Sequence, residues 1–182
     1  VFEAASKHGL KFKVHAEQLT RTGIAVVAAE MGALSADHLE YLSPADCQVL
    51  GGCDTTATIL PGAFYFLKET QQPPIESLRE NGVSIAVATD CNPGSSPVTS
   101  IRLMANMACN LFGLSAEEAL QGITVNAAGA LGLDQEIGSL QPGHRADFAV
   151  WDVGSLAEII YEIGRSPCVE VYRAGRKRPT ST

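Results

Sequence analysis

The feature that most constrains this chain is a recurrence. Short runs of strand-forming residues, Lys11 to His15, Ala33 to Ala36, Thr55 to Leu60 and Val83 to Ala88, alternate with helix-forming stretches. The unit repeats at intervals of roughly 22 to 28 residues, the length that a strand plus a crossover helix requires. Ala-rich Ile24 to Met31 ends at Gly32, and a second helix starts at Ser43-Pro44, with Ser as cap and Pro in the first position, and closes at Gly51-Gly52. A third opens at Pro73-Pro74, runs through Glu80 and stops at Asn81-Gly82. Parallel strands cannot be joined by tight turns, so this alternation predicts βα units and an α/β fold with a parallel sheet. Val83 to Ala88 is apolar except for Ser84, as a strand covered on both faces should be.

After the fourth run the spacing predicts helices over Val98–Phe112, Ser115–Gly122 and Thr124–Leu131, the second opened by the capping signal Ser115-Ala116-Glu117-Glu118. From Ile137 the texture changes to short runs such as Phe148-Ala149-Val150-Trp151 and Val169 to Tyr172, punctuated by Gly and Pro. Two pieces are expected: residues 1–136 as βα units and residues 137–182 as a β-rich tail. Four strands are half of a (β/α)8 barrel, which takes about 250 residues. An open sheet of the Rossmann or flavodoxin kind is the alternative. Neither GxGxxG nor GxxxxGK[ST] is present, which weakens the nucleotide readings. The chain begins Val-Phe-Glu-Ala-Ala, in the middle of what reads as a helix ending at His8-Gly9, so the N-terminus reads as a cut.

A net charge of −7 argues against broad nucleic-acid binding, and the basic cluster Arg173 to Arg178 reads as a solvated tail. Five cysteines, odd in number and scattered, suggest free thiols in a reducing cytoplasm. No apolar run approaches the roughly 20 residues of a membrane helix.

The candidate chemistry lies where runs end. Asp90 follows the most apolar run and opens the loop Thr89-Asp90-Cys91-Asn92-Pro93-Gly94-Ser95-Ser96-Pro97. The carboxyl ends of strands are where α/β proteins build active sites. A carboxylate there is costly to bury without a cation or strong donors, and a metal ion supplies the cation. The alternative is an Asx-turn that merely begins the loop. His15 and His38 end two earlier runs. Imidazole suits zinc or iron as a ligand and also moves protons near neutral pH. Either histidine could equally be a hydrogen-bonded structural residue, and Asp37 could cap a turn or hold an imidazole. Asn92, Gly94, Ser95 and Ser96 form a polar loop whose amides could cradle an anion or simply make a tight turn. Pro61-Gly62-Ala63-Phe64-Tyr65 reads as a pocket wall or an ordinary loop. His8 and His144 read as solvent-exposed and carry no role.

Val-His-Ala-Glu-Gln, Leu-Ser-Ala-Asp-His-Leu-Glu, Leu-Pro-Gly-Ala-Phe-Tyr and Ala-Thr-Asp-Cys-Asn-Pro-Gly-Ser-Ser-Pro occur here in the order and spacing of the imidazolonepropionases. Thr124-Val125-Asn126-Ala127-Ala128, Gly138-Ser139-Leu140, Pro142-Gly143 and Ala146-Asp147-Phe148 resemble the C-terminal signature of the wider amidohydrolase superfamily. The resemblance implies the C-terminal half of a metal-dependent (β/α)8 barrel, strands five to eight, over residues 1–136. It implies part of a composite β-sandwich domain over 137–182. The implied reaction is hydrolysis of 4-imidazolone-5-propanoate to N-formimidoyl-L-glutamate, in histidine breakdown, with one zinc or iron ion. His15 and Asp90 look like metal ligands. His38 looks like the residue that orients or deprotonates the attacking water, and Asp90 like its proton shuttle. Gln18 falls on a substrate-contacting position that often holds Glu, and Asn92, Gly94 and Ser95 look like further substrate contacts. The family's His-x-His pair is missing, as are its earlier substrate-gripping residues. Two protein ligands leave a metal underbound, so weak metal binding and little activity are expected of this chain alone. The remaining expectations are a homo-oligomer or a completing N-terminal half. Rival readings are an inactive half-barrel fragment, an amidohydrolase for another cyclic amide, and an open-sheet binder of a small anion.

Overall fold

A computed structural model of the chain, described over residues 1–179, bears out the alternation. In order come α1 (Phe2–Lys7), β1 (Lys13–Ala16), α2 (Ile24–Glu30), β2 (Ser35–His38), α3 (Pro44–Gly51), β3 (Thr56–Ile59), α4 (Pro61–Leu67), α5 (Ile75–Glu80) and β4 (Ile85–Val87). These four strands form one parallel sheet in the order β1-β2-β3-β4, so every strand neighbours its predecessor. Then follow α6 (Ile101–Phe112), α7 (Ala116–Gly122), α8 (Val125–Ala130), β5 (Phe148–Trp151), α9 (Glu158–Tyr161), β6 (Cys168–Arg173) and β7 (Arg176–Lys177). The last three strands form a separate antiparallel sheet, β5-β6-β7.

Local chemistry explains most boundaries. The Ser43 hydroxyl accepts from the Asp46 amide while the Asp46 carboxylate takes the Ser43 amide, closing a capping box ahead of Pro44. Ser115 and Glu118 do the same for α7. Gly32 and Gly82 turn the chain left-handed after α2 and α5, with φ of +81° and +68°.

Three expectations are corrected. Pro61 does break β3, but Pro61-Gly62-Ala63-Phe64-Tyr65 is the start of α4 rather than a loop, because proline at the first helical position loses no hydrogen bond. The basic cluster Arg173 to Arg178 is exposed yet folded: it turns through Ala174-Gly175 between β6 and β7, and Lys177 pairs with Glu170. The tail also contains a helix, α9, which the strand-like texture did not announce. Arg102 of α6 donates to the carbonyls of Ile159 and Glu162, and Asn106 to those of Ile160 and Tyr161. Residues 180–182 of the expected tail lie outside the described residues.

Register decides what the parallel sheet presents on each face. Val14, Ala36, Ala57 and Ile85 are aligned across all four strands and pack into one apolar cluster with α2, α3 and α5 residues such as Ala25, Leu50 and Leu78. The next row, His15, Asp37, Thr58 and Ala86, points to the opposite face, with Lys13, Ser35 and Thr56 one step below it. One face is therefore hydrocarbon and the other small and polar. A second cluster, built on Ile59, Val87, Met104, Ala108 and Phe112, carries α6 and α7 against the β4 side.

Candidate active site

The carboxyl ends of β1, β2 and β4 bring three of the expected residues together. His15 is the third residue of β1 and His38 the last of β2; their rings lie 4.2 Å apart, centroid to centroid. The Asp90 carboxylate lies 4.0 Å from His38 Nε2. Strict alternation would align His38 with Ala16, on the helix-covered face. His38 and Leu39 instead adopt φ of +84° and +75°, which breaks the alternation and turns the imidazole toward His15 and Asp90. Glu17 and Asp90 are left-handed too, at +57° and +47°. Such backbone costs about 1 kcal/mol or more per non-glycine residue, and that kind of strain gathers at functional sites.

The electrostatics suit proton handling. Burial, and the neighbouring His15, depress the His38 pKa to about 4, so its ring is neutral at pH 7, an acceptor but a weak base. Asp90 is pushed above the usual carboxylate range by burial and by Asp37, against the pull of His15 and of an Asn92 hydrogen bond. Asp37 neither caps a turn nor holds His38. It accepts from the Ser35 hydroxyl at 2.6 Å and pairs with Lys13 at 3.7 Å, on the row beside His15.

The loop after Asp90 is closed on itself. The Asn92 side-chain oxygen accepts from the amides of Gly94 and Ser95 at 2.9 and 2.8 Å, and its nitrogen donates to the Asp90 carbonyl at 2.7 Å. The amides that could have formed a free anion nest are thus engaged by Asn92. Ser96, fully buried, donates to the Thr89 carbonyl at 2.6 Å. Gly62 permits this: a Cβ there would fall 2.5 Å from the Ser96 hydroxyl and 3.0 Å from Met104 Sδ. Gln18 sits at the same rim and donates to Glu69 at 2.9 Å. His144 is half-buried rather than exposed, against Ser139 and Gln141, away from this cluster.

Sequence reasoning passed over two acids, Glu40 and Glu69. Glu40 is completely buried and stands 3.9 Å from His38 Nδ1. For Glu40 the available signal was a charged residue two positions beyond a strand-end histidine.

The donor types fit a divalent metal in part. His15 and Asp90 are an imidazole and a carboxylate at one rim, a pairing that zinc and iron accept. Among the described residues, however, no three His, Cys, Asp or Glu side chains gather closely enough to hold an ion by themselves. Nor, among them, is any helix long and apolar enough to cross a membrane.

Comparison with known proteins agrees with this architecture. The imidazolonepropionase of Cupriavidus pinatubonensis is 53% identical over 182 residues, covering 100% of this chain and 43% of that protein. That of Shewanella baltica is 51% identical over 176 residues, 97% of this chain and 43% of the relative. The chain therefore spans under half the length of the curated relatives it matches. Among solved structures, an amidohydrolase from Thermotoga maritima superposes with a TM-score of 0.71 at 26% identity, over 96% of this chain and 45% of that one. A zinc-bound adenosine deaminase from Xanthomonas campestris gives 0.73 at 21% identity, over 96% and 46%. The amidohydrolase family model matches residues 1–176, and with that match over nearly its whole length the chain belongs to the amidohydrolase family.

Proposed function

We propose that this chain is the C-terminal portion of an imidazolonepropionase, hydrolysing the cyclic amide of 4-imidazolone-5-propanoate to N-formimidoyl-L-glutamate. One observation carries the reading: His15, His38 and Asp90 converge at the carboxyl rim of β1, β2 and β4. Residues 1–136 are on this reading half of a (β/α)8 barrel, with the polar row of His15, Asp37 and Thr58 as its inner face. Residues 137–182 are part of a β-sandwich domain. A completing N-terminal half supplies the remaining ligands and covers the free edges of β1 and β4. The five free cysteines suit a cytoplasmic enzyme.

His15 and Asp90 would hold one zinc or iron ion. When bound, such an ion polarises the carbonyl and makes the attacking water more acidic. Neutral His38 takes a proton from that water as its oxygen bonds to the ring carbonyl carbon. Asp90, 4.0 Å from His38 Nε2, would relay that same proton to the ring nitrogen as the C–N bond breaks, which leaves His38 neutral again. Gln18 orients the ring. The substrate's carboxylate replaces the Asn92 oxygen as acceptor for the Gly94 and Ser95 amides, and Ser95 adds its hydroxyl.

A chimera tests this. The chain is exchanged for the matching 43% of the Cupriavidus pinatubonensis enzyme and loaded with zinc or iron. Turnover of 4-imidazolone-5-propanoate is expected; a folded, metal-loaded chimera without turnover refutes the assignment. The isolated chain is expected to bind zinc more weakly than micromolar, as titration calorimetry would show.

A further inference from the structure

Four buried polar atoms near the rim have no hydrogen-bond partner as they stand: His38 Nδ1, both Glu40 carboxyl oxygens and Glu69 Oε2. They belong to one chain of contacts. His38 Nδ1 is 3.9 Å from Glu40 Oε1. The Glu40 and Glu69 carboxyl groups lie within hydrogen-bonding reach of each other. The other oxygen of Glu69 accepts from Gln18 Nε2 at 2.9 Å. The participants come from the carboxyl ends of three successive βα units: Gln18 after β1, His38 and Glu40 at the end of β2, and Glu69 after α4.

Two ionised carboxylates are both acceptors and cannot satisfy each other. Leaving buried polar groups unpaired costs about 1–3 kcal/mol each. A single proton removes the conflict. Placed between Glu40 and Glu69, it makes Glu40 a neutral acid that donates to Glu69 and still offers Oε1 to an N–H on His38. The oxygens of the carboxyl pair then satisfy each other, and Glu40 Oε1, 3.9 Å from His38 Nδ1, is the acceptor toward which that N–H would close.

We propose that Glu40 and Glu69 form a positioning pair that shares one buried proton, fixing His38 as the Nδ1–H tautomer and Gln18 with its amide nitrogen turned away from the substrate. His38 Nε2 is then left as the bare lone pair facing Asp90, as a proton acceptor needs to be. Burial, with repulsion from Glu69, raises the Glu40 pKa to about 8, in agreement with a shared proton at neutral pH. The pair thus orients both the residue that takes the water's proton and the residue that contacts the ring. This rests on the reading of His38 given above.

The test uses the 182-residue chain itself, without metal or substrate. Two-bond proton–nitrogen NMR correlations at pH 7 report the tautomer of each imidazole, with His38 assigned through His38→Gln. The wild type should show His38 as Nδ1–H. Glu40→Gln presents one donor and one acceptor, as the protonated acid does, so it should keep that tautomer and the unfolding temperature. Glu40→Leu should shift His38 to a tautomer mixture and unfold several degrees lower. An Nε2–H tautomer in the wild type, or a Glu40→Gln chain that behaves like Glu40→Leu, overturns the pair. If Glu40→Leu does not fold, Glu40→Gln decides alone: loss of fold or tautomer rejects the proposal. Because no turnover is read, an inactive chimera with the tautomer intact counts against the hydrolase reading only.

Discussion

The two ends of the parallel sheet use the same unusual backbone with different residues. Just before β1, β2 and β4, the left-handed positions are Gly9, Gly32 and Gly82. At the strands' far ends they are Glu17, His38, Leu39 and Asp90. Glycine adopts this conformation freely, whereas other residues pay for it in strain. One end of the sheet turns on glycines, and the other carries strain at the residues to which the proposed function assigns the chemistry. Apart from Thr58 Oγ1 inside β3, the buried polar atoms without partners among the described residues follow the same division. Those of His38, Glu40 and Glu69 lie at the carboxyl end, while the capping boxes of α3 and α7 are satisfied.

The sharpest way to break this comparison is Asp90→Ala in the chimera. We expect kcat to fall by about 10²-fold or more, the range of a lost acid–base group, with little loss of stability because a half-buried carboxylate is removed while the left-handed backbone at +47° stays as it was. Equal loss of fold and activity would make Asp90 structural. At the opposite end, Gly51→Ala should cost stability alone, by about 1–3 kcal/mol of overpacking. Its Cβ would meet the Asn81 carbonyl at 2.4 Å, where the ends of α3 and α5 touch. Urea unfolding measures it.

The pH dependence sharpens the contrast. Glu40 is raised from 4.5 to about 8, so the folded chain holds a proton that the unfolded chain releases, and stability falls as pH rises through that window. His38 is lowered from 6.5 to about 4, so its contribution has the other sign and is lost as pH falls through that range. Between pH 6.5 and 8 only the Glu40 slope remains of the two. Wild type should lose stability across it relative to Glu40→Gln, and parallel denaturation curves would refute this.

The smallest effects are the backbone swaps. Gly82→Ala has open space around its Cβ, so the conformational cost stands alone, about 1 kcal/mol destabilising. Lys68, left-handed at +55° and exposed at the end of α4, has no role in the proposed chemistry. Lys68→Gly should stabilise by about 0.5–1 kcal/mol, and failure to do so would weaken the claim that the rim is strained.

The sequence announced the βα alternation, the Ser43 and Ser115 caps, the glycine stops and the acid after Val83 to Ala88, because these depend on neighbours within a turn or two. The helix α4 was missed because Pro61 both ends a strand and begins a helix. Asp37 was misread because its partners, Lys13 and Ser35, are set partly by the register between β1 and β2. Glu40 and Glu69 stand 29 positions apart, and no spacing rule links them. The sequence by itself determined the candidates His15, His38 and Asp90 and roughly where their strands stop. Only the tertiary structure decided which of them meet, because strand register and four left-handed, non-glycine positions set the direction of each side chain. Hydrophobic periodicity reports burial and carries no information about those torsions.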